Sequence, residues 1–172
     1  AGTSIAALSE AWGAKARISR AMPNTPGAIG EGISGLYAAK GATASDRGLA
    51  ESLLSTLGEV VWVKQESLID SVTAVSGSGP AYLFLMAEAL AEAGVAEGLP
   101  RAIAEKLARA TVSGAGALLK ADQSPAAALR AAVTSPGGTT AAALAVLMAE
   151  DGLPALMKRA VAAAKKRAEE LR

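Results

Sequence analysis

The sequence contains neither cysteine nor histidine. Without cysteine, a disulfide framework, a thiolate nucleophile and a cysteine-ligated metal are all excluded. Without histidine, the chain lacks the usual general base, the commonest metal ligand and the base of every Ser-His-Asp triad. An enzyme built from these residues works without imidazole or thiol, and we expect no metal site.

Aromatic residues are scarce, at two Trp, two Tyr and one Phe, although 51% of the residues are hydrophobic. Alanine and small aliphatic side chains supply most of the apolar surface, which favours packed helices over a β-sandwich. The 17 basic and 16 acidic residues are mixed along the chain, with a net charge of +1. This balance predicts no nucleic-acid partner, and the basic cluster at 158–167 is interpreted as a solvated helix face.

The sequence also lacks a charge-free apolar stretch of about 18 residues, the length that a membrane span needs. Its longest candidate, Ala81–Ala87, runs directly into Glu88. The N-terminus has no basic region followed by a hydrophobic core, so no secretory signal is predicted. We expect a cytoplasmic protein with no membrane partner. Because the first residue is Ala1, we expect a processed chain or one that begins within a longer protein.

Residues 1–65 alternate predicted short helices with β-like runs. Helices are predicted at Ser4–Trp12, with Ser4 as N-cap and Gly13 at the end, and at Asp46–Leu57, ended by Gly58. Strands are predicted at Ala16–Met22, Ile33–Ala38 and Glu59–Lys64. Such α/β units close only by joining a mainly parallel sheet, so we interpret the region as the tail of a larger domain.

Strand signals disappear after a boundary placed near Gln65. Four of the predicted helices begin with proline, which suits a first helical position. The helix that begins at Pro80 is apolar on nearly every side for two turns, so we expect it to be buried. The small residues Ser113, Gly114 and Gly116 suit tight contacts between helices, including helices of two subunits. The helices are predicted at Ser67–Ser76, Pro80–Ala93, Pro100–Leu119, Pro125–Val133, Thr139–Glu150 and Pro154–Leu171.

Three glycine- or proline-rich segments allow both a functional and a structural interpretation. Gly30–Gly35 matches the letters G-x-G-x-x-G, but no strand precedes it and no helix follows, so we assign its glycines to a turn. Met22–Pro26 follows a predicted strand and is either a rigid turn or a ligand-binding loop. Ser76–Pro80 opens a predicted helix and is either an anion or ribose site or a hinge between domains.

The segment Thr134–Thr140 is the most informative of the chain. Its two glycines let the backbone approach a ligand, and a predicted helix begins at Thr139. Backbone N–H groups, the helix dipole and several hydroxyls converge there, which would bind a carboxylate. An elaborate N-cap is the alternative, but the cluster of small polar residues exceeds what capping needs.

Three segments together resemble the pyrroline-5-carboxylate reductases: RAMPNTP at Arg20–Pro26, DSVTAVSGSGPAY at Asp70–Tyr82 and VTSPGGTTAAAL at Val133–Leu144. They occur in the order and at the spacing of that family. The resemblance covers essentially the whole chain and implies the C-terminal two-thirds of such an enzyme, without most of the Rossmann-type domain. The implied fold class is an α/β remnant of a Rossmann-type domain at 1–65, followed by an all-α helical dimerisation domain at 66–172.

The resemblance implies NAD(P)H-dependent reduction of 1-pyrroline-5-carboxylate to L-proline, a reaction of proline biosynthesis, with NADPH favoured over NADH. It also implies a homodimer, or a larger ring of dimers, in which each site borrows the Thr140 loop from the neighbouring subunit. Thr140 is then the catalytic hydroxyl. The implied substrate-binding residues are Ser135, Gly137, Gly138, Thr139 and Thr140, and the implied cofactor-binding residues are Ala1, Gly2, Met22, Pro23, Asn24 and Thr25.

The residue inventory agrees with imine reduction. A carbonyl needs an acid to take up developing negative charge, whereas a protonated cyclic imine already carries a positive charge and requires mainly orientation. β-Hydroxyacid dehydrogenases, the nearest enzyme alternative, place a catalytic lysine on the first long helix of the second domain, and Pro80–Ala93 contains none. A catalytically silent oligomerisation module stays open as an alternative. A binding protein for another carboxylate has no positive support.

Overall fold

The computed structural model describes all residues, 1–172, and the chain divides into two compact units. The first unit comprises Ala1–Pro80 with Arg159–Arg172, and the second comprises Ala81–Lys158. All three β-strands lie in the first unit, whereas the second consists of helices and loops. The sequence predicts a domain boundary near Gln65, whereas these two compact units divide the chain elsewhere. The boundary near Gln65 stays a prediction. None of the helices combines the length and apolarity that crossing a membrane requires.

The first unit contains a three-stranded sheet in the order β1-β2-β3. Strand β1 runs antiparallel to β2, and β2 runs parallel to β3. The expectation of a mainly parallel sheet is therefore wrong for β1, because a short connection can only return the chain in the opposite direction. Helix α2 supplies the longer crossover between β2 and β3. The elements are α1 (Ile5–Trp12), β1 (Ser19–Met22), a 3-10 turn (Thr25–Ile29), β2 (Gly32–Ala38), α2 (Ala44–Leu54), a second 3-10 turn (Ser55–Leu57) and β3 (Gly58–Trp62).

Local capping explains where the first two helices begin. The Ser4 hydroxyl accepts a hydrogen bond of 3.1 Å from the Ala7 amide, which confirms Ser4 as the N-cap of α1. Helix α2 begins with a capping box, in which the Thr43 amide donates to Asp46 Oδ2 at 2.8 Å and the Asp46 amide donates to Thr43 Oγ1 at 3.2 Å. The hydrogen bonds from the Thr43 side chain and amide lower the pKa of the Asp46 carboxyl.

The glycines of Gly30–Gly35 serve a turn and close packing, which confirms their structural interpretation. Gly30 ends the first 3-10 turn in the left-handed conformation, with φ of +74°. A Cβ atom on Gly32 would lie 2.8 Å from the Leu57 carbonyl oxygen, and one on Gly35 would lie 2.6 Å from Val72 Cγ1. The strand therefore packs closely against the elements beside it.

A buried ion pair stabilises the first unit. Arg20 is only 6% exposed, and its Nη1 donates to Glu66 Oε1 at 3.0 Å. The same carboxylate oxygen accepts a hydrogen bond of 2.7 Å from the Ile5 amide. One glutamate thus joins β1 to the start of α1. The apolar core around them contains Ile18, Leu36, Ile69 and Ala74.

The segment Ser76–Pro80 joins the end of a π-helical segment to the start of a helix at Gly79. Helix α3 (Leu68–Val72) passes directly into a π-helical segment (Thr73–Gly77), and α4 (Gly79–Ala96) follows. The Ser78 amide donates to the Thr73 carbonyl oxygen at 2.8 Å, a π-type bond. The Ser78 amide is therefore not free to bind an anion, and the choice between an anion or ribose site and a hinge at this segment stays a prediction.

Four prolines lie at helix starts after residue 65. Each lies one position before or after the first helical residue, the position at which it was predicted. Pro100 and Pro125 are N-caps with extended ψ of 137°, and Pro80 and Pro154 are the second residues of their helices. An N-cap amide is not needed for helix bonds either, so proline is tolerated at both places. The remaining helices are α5 (Arg101–Ala121), α6 (Ala126–Ala132), α7 (Thr139–Leu147) and α8 (Leu153–Glu170).

The second unit has almost no core of its own. Its buried residues are alanines, at positions 91, 104 and 108. Contrary to expectation, the apolar side chains of α4 are exposed in the single chain, with Leu83 at 57%, Phe84 at 64% and Leu85 at 63%. A Cβ atom on Gly114 or Gly116 of α5 would also have no neighbouring atom within 4 Å. Apolar surface on this scale is typical of an interaction surface.

Candidate functional site

The loop before α7 has a fixed backbone. The Thr134 hydroxyl donates to the Arg130 carbonyl oxygen at 2.6 Å, and the Gly138 amide donates to the Ser135 carbonyl oxygen at 3.0 Å. Gly137 has φ of +69°, which is the left-handed conformation that favours glycine. A Cβ atom on Gly138 would overlap Ser135 Oγ. Both glycines are therefore required by the shape of this loop.

The first turn of α7 presents free hydrogen-bond donors. The first helical bond is that from the Ala142 amide to the Gly138 carbonyl oxygen, at 3.2 Å. No side chain caps the helix, and the amides of Thr139, Thr140 and Ala141 make no hydrogen bond within the chain. Because the helix dipole adds to these donors, the turn has the arrangement of an anion-binding site.

Three hydroxyls accompany the free amides. Those of Ser135, Thr139 and Thr140 make no hydrogen bond within the chain, and Ser135 and Thr139 are exposed while Thr140 is half-buried. The five residues predicted to bind substrate are thus contiguous around one helix start. Sequence reasoning missed the Ala141 amide, which the rule that a helix leaves its first N–H groups unpaired would have found.

The loop that follows β1 is held by Asn24. Its Oδ1 accepts a hydrogen bond of 2.9 Å from the Ile33 amide, so this predicted cofactor residue also has a structural task. Pro23 and Thr25 are exposed and Met22 is half-buried. The loop lies at the end of β1, as predicted. However, β1 runs antiparallel to β2, so the loop lies where β2 and β3 begin, and the rule for ligands at parallel strand ends does not apply within this sheet.

Ala1 and Gly2 also belong to the first unit. Ala1 is exposed, and Gly2 has φ of +78°. A Cβ atom on Gly2 would lie 2.9 Å from the Leu171 carbonyl oxygen. Close packing against the end of the chain therefore explains this glycine without reference to a cofactor.

No group of three or more acidic residues is placed to hold a metal ion. Hydrogen bonds from Arg101 lower the pKa of the Glu92 carboxyl, but this pair is exposed and its contact of 2.6 Å lies at the surface. The donors around Thr140 suit an acidic ligand, since they are amides and hydroxyls without a competing carboxylate among them.

Comparison with known proteins agrees with the motifs. The family model described as pyrroline-5-carboxylate reductase dimerisation matches residues 66–171. The pyrroline-5-carboxylate reductase of Corynebacterium melassecola is 48% identical over 171 residues, which are 99% of this chain and 63% of that protein.

Two solved structures are also similar. The pyrroline-5-carboxylate reductase of Coxiella burnetii is 42% identical with a TM-score of 0.93, over 99% of this chain and 63% of that chain. The pyrroline carboxylate reductase of Plasmodium falciparum, whose crystal structure has NADP bound, is 32% identical with a TM-score of 0.85, over 99% of this chain and 64% of that one.

The chain spans slightly less than two thirds of the length of these relatives. Its sheet and its helices match the Rossmann-type part and the helical dimerisation domain of the solved reductases. The family model covers more than half of the chain, and the relatives align with nearly all of it. The chain therefore belongs to the pyrroline-5-carboxylate reductase family.

Proposed function

We propose that this chain is part of an enzyme that reduces 1-pyrroline-5-carboxylate to L-proline with a nicotinamide cofactor. The observation that supports this best is the helix start at Thr139, where three amides without partners adjoin two glycines. A carboxylate is the group of the substrate that such donors bind.

The amides of the first turn of α7 hold the substrate carboxylate in this proposal. Gly137 and Gly138 bring no side chain between the backbone and the ligand, and the hydroxyls of Ser135 and Thr139 supply further donors. Binding at one end fixes the ring in one orientation. Much of the rate acceleration then comes from holding the imine carbon in position.

Thr140 is proposed to hydrogen-bond the ring nitrogen. Its hydroxyl has no partner in the chain and is half-buried, so it can bond the ligand without breaking a structural contact. The bound nicotinamide would supply the hydride that neutralises the protonated imine. The Thr140 hydroxyl oxygen would accept from the N–H of the imine, and no strong acid is needed because no oxyanion develops, which suits a chain without histidine.

Ala1, Gly2 and the loop Met22–Thr25 are proposed to contact the cofactor. The loop suits a planar ligand because Asn24 and two flanking prolines fix its backbone, while the Thr25 hydroxyl is exposed and unpaired. The bound NADP of the Plasmodium falciparum relative supports a nicotinamide dinucleotide, and we propose NADPH as the favoured form.

Assembly into a homodimer, or into a ring of dimers, is proposed for the helical part. The exposed apolar side chains of α4 and the dimerisation family model both support it. A second copy that covers these side chains would supply the core that the second unit lacks alone. Each site would then use the Thr140 loop of the neighbouring subunit.

A catalytically silent oligomerisation module is the second candidate, favoured by the 63% of the relative's length that the chain covers. Two polypeptides distinguish the candidates: the 172 residues alone, and a full-length reductase that carries them. Nicotinamide-dependent proline formation by the full-length protein supports the proposal. A 172-residue polypeptide that is dimeric but neither binds the cofactor nor forms proline would favour the silent module for this chain. Light scattering that finds a monomer at micromolar concentration would refute the proposed assembly.

A further inference from the structure

Gly77 contacts the residue at which the proposed cofactor loop begins. A Cβ atom on Gly77 would lie 2.7 Å from Cε of Met22, and its next neighbours would be Thr73 Cγ2 at 3.6 Å and Thr73 Cβ at 3.9 Å. Carbon atoms in contact are about 3.5–4.0 Å apart. The missing side chain of Gly77 is therefore what allows the Met22 methyl group to occupy its place.

A second glycine brings the two segments together. Met22 pairs with Gly35 across the sheet, and a Cβ atom on Gly35 would lie 2.6 Å from Val72 Cγ1. The helix that ends at Val72 therefore lies close against the end of β1. The π-helical segment that follows it, Thr73–Gly77, is held by the bond from the Ser78 amide to the Thr73 carbonyl oxygen.

We infer that Gly77 is a positioning residue for the nicotinamide-binding loop, acting through the Met22 methyl group. This inference rests on the proposed function, because it assumes that Met22–Thr25 contacts the dinucleotide. Gly77 itself touches the methionine and not the ligand. Gly77 is the last residue of the π-helical segment Thr73–Gly77. A positioning role there agrees with the frequent occurrence of π-helical turns at functional sites.

The variant Gly77→Ala tests this inference, because the backbone there tolerates alanine. The new methyl group would push Met22 Cε away by about 1 Å. The end of a flexible side chain yields readily, so the protein should fold with little loss of stability. A displacement of this size lowers the reaction rate by up to about a hundredfold when it occurs at the reacting centre. For a loop beside that centre, we expect about a tenfold rise in the KM and Kd for NADPH. The kcat value should stay within about twofold.

Gly79→Ala is the matched control, since a Cβ atom on Gly79 meets nothing within 4 Å. Methyl NMR of the full-length protein, labelled at its methionines, gives a readout apart from activity. The Met22 signal, assigned through Met22→Leu, should shift in Gly77→Ala and stay in place in Gly79→Ala. In a Met22→Ala background, where the methyl group is gone, Gly77→Ala should have no further effect on the Kd for NADPH.

Three results would overturn the inference: an unchanged Met22 signal, equal NADPH affinity in the two alanine variants, or a loss that persists without the methionine side chain. Failure of the proposed function looks different, because unmodified full-length protein would then neither bind the dinucleotide nor reduce the imine. That outcome overturns both statements, whereas a normal wild type with a silent Gly77→Ala overturns only this one.

Discussion

Thr140→Ala should reduce turnover and leave the fold intact. The hydroxyl makes no hydrogen bond within the chain, so its removal breaks no structural contact. Alanine is also a slightly better helix former than threonine. We therefore expect the free energy of unfolding to change by less than about 0.5 kcal/mol, as for an ordinary surface substitution.

The kinetic loss follows from the ligand that the hydroxyl is proposed to bond. A hydrogen bond to a charged group contributes about 1.5–3 kcal/mol. Loss of that bond in the transition state lowers kcat/KM by about 10- to 150-fold. Turnover falls because the bond also fixes the orientation of the ring for hydride transfer.

The assay is steady-state reduction of 1-pyrroline-5-carboxylate by the full-length protein, followed through NADPH absorbance. Thr56→Ala is the control, because the Thr56 hydroxyl donates to the Leu53 carbonyl oxygen at 2.6 Å, outside the substrate loop. That variant should lose about 1 kcal/mol of stability and keep its kinetics. Unchanged kcat/KM in Thr140→Ala, or a loss that merely parallels lower stability, would refute the proposed role.

Three further predictions concern the fold. Gly137→Ala, forced to φ near +69° in otherwise open space, should cost about 1 kcal/mol by chemical denaturation and also weaken substrate binding. Glu66→Ala leaves the guanidinium of Arg20 buried without its partner and should cost about 3 kcal/mol, whereas Glu170→Ala on the exposed helix should change stability by less than about 0.5 kcal/mol. Because hydrogen bonds lower the pKa of Asp46 below its ordinary 3.8, its carboxylate stabilises the fold fully above that pH and less as the pH falls through the lowered pKa. Urea titrations of wild type and Asp46→Asn should thus differ at neutral pH and converge in strong acid.

Features decided by neighbouring residues could be predicted from the sequence. Ser4 and Gly13 bound α1 as predicted, because capping needs only a hydroxyl before the helix and a flexible residue after it. The helix start at Thr139 follows from the two glycines before it, and its N-cap is Gly138 without a side-chain hydrogen bond. Hence both the α/β-then-helical order of elements and the location of the candidate substrate site follow from local signals and motifs.

Features decided by distant partners could not be predicted. The pairing of β1 with β2 joins residues distant in the sequence, and only once that pairing is given does the short connection make β1 antiparallel. The exposure of Phe84 contradicts the expected burial of α4, because an all-apolar helix indicates only that a partner covers it, not whether that partner belongs to the same chain. The close approach of Gly77 to Met22 likewise joins residues far apart in the sequence.

Amide NMR of the full-length protein tests whether the first turn of α7 binds an acidic ligand. L-Proline would be titrated into the full-length protein with NADP⁺, and pyrrolidine, which lacks the carboxylate, into a second sample. We predict saturable shifts of the amide signals of Thr139, Thr140 and Ala141 with L-proline and none of comparable size with pyrrolidine. Signals of these three amides that stay in place, or that respond equally to both compounds, would contradict it.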